Sequence, residues 1–144
     1  MIVVRPSEDR ITLAAFLFPL CLNDLALKPA SLSLTPELLL AAIASWNIVE
    51  FFDTKKEAII GAAACEPNRH VHIYVDSDRR ASWAPHASIR GALDIFLSDS
   101  EALYAAIPLA NRNTISMVRK MGFIHTSTKK GIAFHKLTPQ TRLI

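Results

Sequence analysis

Asn111–Phe123 (NRNTISMVRKMGF) is the stretch that most narrows the folds open to this chain. An Asn opens a short amphipathic run, and the run stops at Gly122-Phe123. An Asn at a helix start satisfies orphan N–H groups, and a Gly just past the end adopts the left-handed backbone that closes a helix. Before this run stands a β-like segment, Leu103–Leu109 (LYAAIPL). After it come two more strand-like runs, Phe123–Ser127 and Ile132–Leu137, around a Lys-Lys-Gly turn. A strand, a helix and a hairpin in this order require a sheet with a helix laid against it.

The rest of the chain extends that pattern. Met1–Arg5 (MIVVR) is a β-branched run ended by Pro6 and predicts a first strand. Ser7 reads as a helix N-cap, with Glu8 and Asp9 in the first turn. Ile11, Ala14, Ala15 and Phe18 recur at helical spacing until Pro19 bends or ends the helix. Leu20–Leu34 is apolar but irregular and reads as a loop with a helical turn at most. Thr35-Pro36-Glu37 starts a second helix, a cap followed by proline at the first position. Asn47–Asp53 and Glu57–Cys65 form a hairpin across Thr54-Lys55-Lys56. Arg69–Val75 (RHVHIYV) follows the turn Glu66-Pro67-Asn68. Its alternation sets Val71, Ile73 and Val75 on one face and His70, His72 and Tyr74 on the other. Beyond a polar loop at Asp76–Ser82, the run Trp83–Leu97 carries Ile89, Leu93, Phe96 and Leu97 at helical spacing. The order β-α-α-β-β-β-α-β-α-β-β predicts an α/β (α+β) single domain over residues 1–144. Its mixed sheet has about seven strands, flanked by about four helices.

At 51% hydrophobic and 20% charged residues, 144 residues suffice for one packed core. Cys21 and Cys65 lie far apart without clustered His, which matches neither a zinc spacing nor a disulfide framework. No apolar stretch is long enough to span a bilayer, and Glu8 and Asp9 occupy the place of a signal peptide's basic region. A cytoplasmic protein is expected. Residues 1–66 carry five Lys/Arg against eight Asp/Glu, whereas residues 67–144 carry eleven against five. A basic C-terminal half suits a polyanionic ligand such as a nucleotide cofactor. Without interleaved exposed aromatics it does not point to nucleic acid.

The element order, with Asn111 and Gly122-Phe123 at their places in it, resembles the GCN5-related N-acetyltransferases (the GNAT superfamily) over nearly the full chain. The eroded motifs are similar to those of small members encoded by bacteriophages, which would put the protein in a host cytoplasm or virion. The resemblance implies acetyl-coenzyme A as co-substrate and no metal. It implies a small-molecule or peptide amine as acceptor, reacting by direct attack, and it allows a homodimer. It gives no role to nucleic acid or membrane.

In that family the pyrophosphate rests on backbone N–H groups of a loop opening the helix after the fourth strand, within Gln/Arg-x-x-Gly-x-Gly/Ala. Two registers are available here: Arg79-x-x-Ser82-x-Ala84 and Arg80-x-x-Trp83-x-Pro85. Neither is intact, because no glycine lies between Gly61 and Gly91. Arg79 and Arg80 would then grip phosphate by charge, or stand as solvated arginines of a polar loop. A bulge in the fourth strand, whose N–H binds the thioester oxygen, would correspond to Tyr74–Asp76, with Val75 at its centre. His70 and His72 are the candidate bases, since His titrates near neutral pH, and a solvated sheet face accounts for them equally. Two His on one face also suit a metal, but no third ligand accompanies them. Asn111 would contact the pantetheine arm or serve only as an N-cap. Arg112, Arg119 and Lys120 would meet the 3′-phosphate or form a plain charged face. Family members often have a Tyr four residues before the Gly to protonate the departing thiolate. This chain has Val118 there, leaving Tyr104, Ser116 or a water for the role. An inactive GNAT-fold binding or structural protein is therefore the alternative expectation.

Overall fold

The computed structural model describes residues 2–22, 35–75, 85–98 and 100–142. The first strand, β1 (Ile2–Pro6), lies at a sheet edge, where Pro6 costs no ladder bond. It pairs antiparallel with β2 (Asn47–Asp53), and the Ser7 N–H prolongs that pairing to the Ile48 carbonyl at 3.0 Å. Ser7 therefore does not cap the next helix, contrary to the sequence expectation. Asp9 does, its Oδ1 accepting from the N–H groups of Ile11 and Thr12 at 3.1 Å each. The Thr12 hydroxyl adds a bond to Oδ2 and holds the Asp9 carboxyl below its usual pKa.

Helix α1 (Arg10–Leu22) runs through Pro19 without ending there. Its buried face is Leu13, Ala14 and Leu17, while Ile11 is 73% exposed and Ala15 faces solvent. The expected face Ile11-Ala14-Ala15-Phe18 is thus rotated. Almost every side of this helix is apolar, so periodicity alone could not select the face that packs. Helix α2 (Pro36–Ile43) starts as expected: Thr35 Oγ1 accepts from the Leu38 N–H at 3.1 Å, with Pro36 in the first turn.

Strand β3 (Ala58–Cys65) joins β2 through a turn in which Asp53 Oδ1 accepts from the Lys55 N–H at 2.9 Å. β4 (Val71–Val75) pairs antiparallel with β3, completing a four-stranded sheet in the order β1-β2-β3-β4. Two cores form on its faces. Leu13, Leu17, Leu39 and Ile43 pack over Ile48, Ala62, Ala64 and Tyr74, the small alanines letting α1 and α2 close on the sheet. On the other face Val49, Phe51, Ala63 and Cys65 meet Ile89, Leu93 and Phe96 of α3 (Pro85–Leu97).

The second half builds a separate three-stranded sheet. β5 (Leu103–Pro108) and β6 (Ile124–Lys129) flank a central β7 (Ile132–Leu137), all antiparallel. Helix α4 (Arg112–Lys120) covers one face of it, and a short α5 (Pro139–Arg142) follows. Arg142 Nε meets Asp94 of α3 at 2.8 Å. His135, 1% exposed, sits in the core between this sheet and α4. Burial pushes its pKa below the usual value, with the charge of Arg119 and the facing His125 ring acting in the same direction.

Among the described residues this makes seven strands and five helices: the expected order, followed by the short C-terminal α5 that the sequence reading did not include. The sheet is divided where a continuous one would have joined β4 to β5. Those two strands meet at a single parallel bridge, His70↔Tyr104, where the Tyr104 N–H donates to the Arg69 carbonyl at 2.9 Å. Beyond the bridge the two sheets part.

Candidate functional site

The parting of β4 and β5 creates the main feature of the site. A cavity of about 80 Å³ lies in the gap, lined by Val71 and Ile73 of β4, Ala105 and Ile107 of β5, Ile89 of α3 and Val118 of α4, with others. The walls are apolar apart from Thr114, and β5 contributes Ala105, Ala106 and Ile107. β4 is bonded to β3 along one edge, while its other edge opens onto the gap past His70. Backbone polar groups along such an edge need partners, so this wall suits a thin ligand that is apolar along its length and carries amides.

Helix α4 sets the far wall, and its ends explain how. Asn111 Oδ1 accepts from the Thr114 N–H at 3.4 Å and from the Thr114 hydroxyl at 2.8 Å, so Asn111 acts as the N-cap. At the other end the Gly122 N–H donates to Arg119 at 3.1 Å and the Phe123 N–H to Val118 at 3.0 Å. That paired closure needs a residue of positive φ, supplied by Gly122 at +104°. It also packs Phe123 against Val118, and both side chains line the cavity. Val118 is 7% exposed. Its isopropyl group fills the position where a phenol was sought, and neither named substitute reaches the cavity lining. Tyr104 lies on the opposite face of β5, and Ser116 faces outward on α4.

On the other face of β4 the polar groups converge. His72 Nε2 and Glu66 Oε2 are 2.7 Å apart. A carboxylate only accepts, so in the neutral ring Nε2 carries the proton and Nδ1 is the basic atom. The ring is sandwiched between Trp46 (centroids 5.4 Å apart, planes 10° apart) and Tyr74 (6.1 Å, 8°). Two stacked neighbours and a carboxylate hold the imidazole in one orientation. Tyr74 is buried in the core beneath it. His70 turns away toward Tyr104, with ring centroids 5.8 Å apart. The two histidines therefore do not converge on one point. Among the described residues no group of three or more His, Cys, Asp or Glu is arranged to hold a metal.

Glu66 and Trp46 were not singled out from the sequence. The hairpin register was the available signal: Ala64 pairs with His72 and Cys65 with Val71, which puts Glu66 diagonal to His72 across the turn. Val75 ends β4, whose register is unbroken from Val71 to Val75, so the expected bulge does not interrupt that span. Arg79, Arg80, Ser82 and Ala84 lie outside the described residues. Arg119 is on the outer face of α4, where it lines a basic cleft of about 480 Å³ with Arg112, Ile115, Ser116 and Lys120. Cys65 donates its thiol toward the Glu66 carbonyl at 3.6 Å, and burial pushes its pKa up. A thiol held in its protonated form is a poor nucleophile.

No protein-family model matches the sequence, and no curated protein matches it either. Solved structures do match in shape. A spermidine N-acetyltransferase from Vibrio cholerae, in complex with CoA and spermine, superposes with a TM-score of 0.75 at 13% identity, over 99% of this chain and 98% of that one. A protein from Acinetobacter baylyi, provisionally named an acetyltransferase, gives 0.75 at 20% identity over 100% and 96%. One provisionally named a phosphinothricin N-acetyltransferase gives 0.70 at 18% over 96% and 98%. At such identities the likeness establishes the fold.

Proposed function

We propose that this chain, which has the GNAT fold, is a single-domain N-acyltransferase that moves an acetyl group from acetyl-coenzyme A to an amine. The observation that carries the reading is the gap between β4 and β5, with the Glu66–His72 pair on the opposite face of β4. The cavity fits the thin thioester end of the co-substrate, being narrow, apolar and bordered by an open strand edge. When bound, that group supplies the activated acetyl carbon. Val71, Ile73 and Ala105 would exclude water from it, and the Val75 N–H and Asn111 would stand nearest its arm. Arg79, Arg80, Ser82, Ala84 and Arg119 are the residues we assign to its phosphates.

His72 Nδ1 would take a proton from the incoming ammonium, with Glu66 fixing the ring and Tyr74 and Trp46 bracing it; His70 is the second candidate base. Of the two protons the ammonium loses, one leaves through His72 and one ends on the departing sulfur. Val118 has none to give, so that second proton reaches the sulfur by relay through water. The buried, protonated Cys65 favours direct attack by the amine over a route through an acyl-cysteine.

A mass-spectrometric screen of primary amines with acetyl-CoA tests the reading, and an acetylated product that disappears in His72→Ala is expected. Val118 favours a second reading, a GNAT-fold protein that binds without turnover. Retained acetyl-CoA binding with no product from any amine would establish that reading instead. The likeness to phage-encoded members rests on the motif pattern alone.

A further inference from the structure

Of the groups that hold the His72 ring, Trp46 is the one that needs support of its own. Tyr74 shares β4 with His72, and Glu66 directly follows β3, to which β4 is paired. Trp46 instead lies on the link between α2 and β2, residues 44–46, outside helix and strand. Its N–H donates to the Ile43 carbonyl at 3.0 Å. Its carbonyl is met from a third element. Arg10, the first residue of α1, donates to it from Nη2 at 3.0 Å. Nη1 of the same guanidinium donates to the Ile43 carbonyl at 3.1 Å. One planar fork thus grips both ends of the turn that delivers Trp46.

Electrostatics favours this placement. A cation is unfavourable at the N-terminus of its own helix α1. At the C-terminus of α2, where helix carbonyls lack intrahelical partners, it is favourable. Burial pushes the Arg10 pKa down, and the charge of Glu50 acts in the opposite direction. Glu50 is 3% exposed and also accepts from Arg5 Nε at 3.1 Å. The buried carboxylate therefore offsets part of the cost of desolvating Arg10.

From the link the Trp46 indole reaches His72, with ring centroids 5.4 Å apart and planes 10° from parallel. The small Ala64 stands between Ile48 and His72 in the sheet register, which leaves room for the overlay. We propose that Arg10 is a positioning residue for acetyl transfer: by clamping the carbonyls of Ile43 and Trp46 it fixes the indole that sets the plane of the His72 ring. The effect on rate rests on the acetyl-transfer reading above, whereas the effect on the His72 ring does not.

The ring is observed first, by proton NMR without substrate, its C–H signals assigned by their loss in His72→Ala. Ring currents of the indole and the phenol should place these signals upfield of those of free histidine. In Arg10→Gln they should move back toward the free position. Arg10→Lys keeps the charge but replaces the fork by a single donor head, and should move them part-way. Arg10→Gln should also lower kcat about tenfold with KM for acetyl-CoA within about twofold, and Arg10→Lys should recover part of that rate. Trp46→Leu should lower kcat by a similar factor, and Arg10→Gln added to it should cost nothing further.

A residue that only staples α1 to α2 would lower the melting temperature and leave the His72 signals in place. That outcome overturns the proposal, as does a double variant whose losses multiply. Where Arg10→Gln does not fold, unmoved His72 signals in Arg10→Lys overturn it equally. Absence of any acetylated amine overturns the acetyl-transfer reading and the rate effect with it; the His72 signals still decide whether Arg10 sets the ring.

Discussion

Replacing Glu66 by Gln separates a working His72 pair from a decorative one. The side chain keeps its size, but an amide can donate as well as accept, so it no longer dictates which nitrogen of His72 is protonated. Both partners are partly solvated, their side chains 19% and 28% exposed, so the pair adds about 1 kcal/mol or less to stability. The melting temperature should fall by no more than about 4 °C. Catalysis by a positioned base is worth about 10²–10⁴-fold, and loss of its orientation should remove at least the lower part of that range. We expect kcat to drop about 100-fold, equivalent to about 2.7 kcal/mol of barrier. KM for acetyl-CoA should hardly change, because its cavity lies on the opposite face of β4. The assay is initial-rate thiol release at saturating acetyl-CoA, run beside a thermal melt. A Glu66→Gln protein with wild-type kcat, or one whose loss of rate merely follows a loss of fold, refutes the reasoning.

Two further predictions concern the scaffold. His135 is buried and its pKa lies below the usual 6.5, so the unfolded chain binds a proton that the native one refuses as pH falls through 6.5. Stability should therefore decline below pH 6.5 by up to about 1.4 kcal/mol per pH unit, and His135→Leu should flatten that part of the melting-temperature profile; an unchanged profile contradicts this. Gly122→Ala should cost about 2 kcal/mol or more, because φ is +104° and the new Cβ would stand 2.5 Å from the Thr141 carbonyl oxygen; calorimetry showing a loss of less than about 0.5 kcal/mol would contradict that.

Local signals carried most of the fold into the sequence. Thr35-Pro36 and Asn111…Gly122 mark helix ends by short-range hydrogen bonding, so they were legible and correct. Alternation along Arg69–Val75 assigned each β4 side chain to its face because a strand's period is two. Where several choices satisfied the local rule, tertiary packing decided. Ser7 and Asp9 are both good caps, and the β1–β2 ladder claimed Ser7. Helix α1 is apolar nearly all round, so its buried face came from the sheet beneath. The site was half legible for the same reason. His72 was visible as a titratable residue on a polar face, but Glu66 became its partner only through hairpin register, and Trp46 only through stacking across the small Ala64. The parting of β4 from β5 leaves no local trace, since it depends on how two sheets pack against α3 and α4.

The most direct test is the melting temperature with and without about 1 mM acetyl-CoA. A site with a dissociation constant near 10 μM should add about 2.7 kcal/mol, a rise of roughly 5–10 °C. Arg79→Ala with Arg80→Ala should remove that rise. No rise in the wild-type protein would contradict the account at its centre.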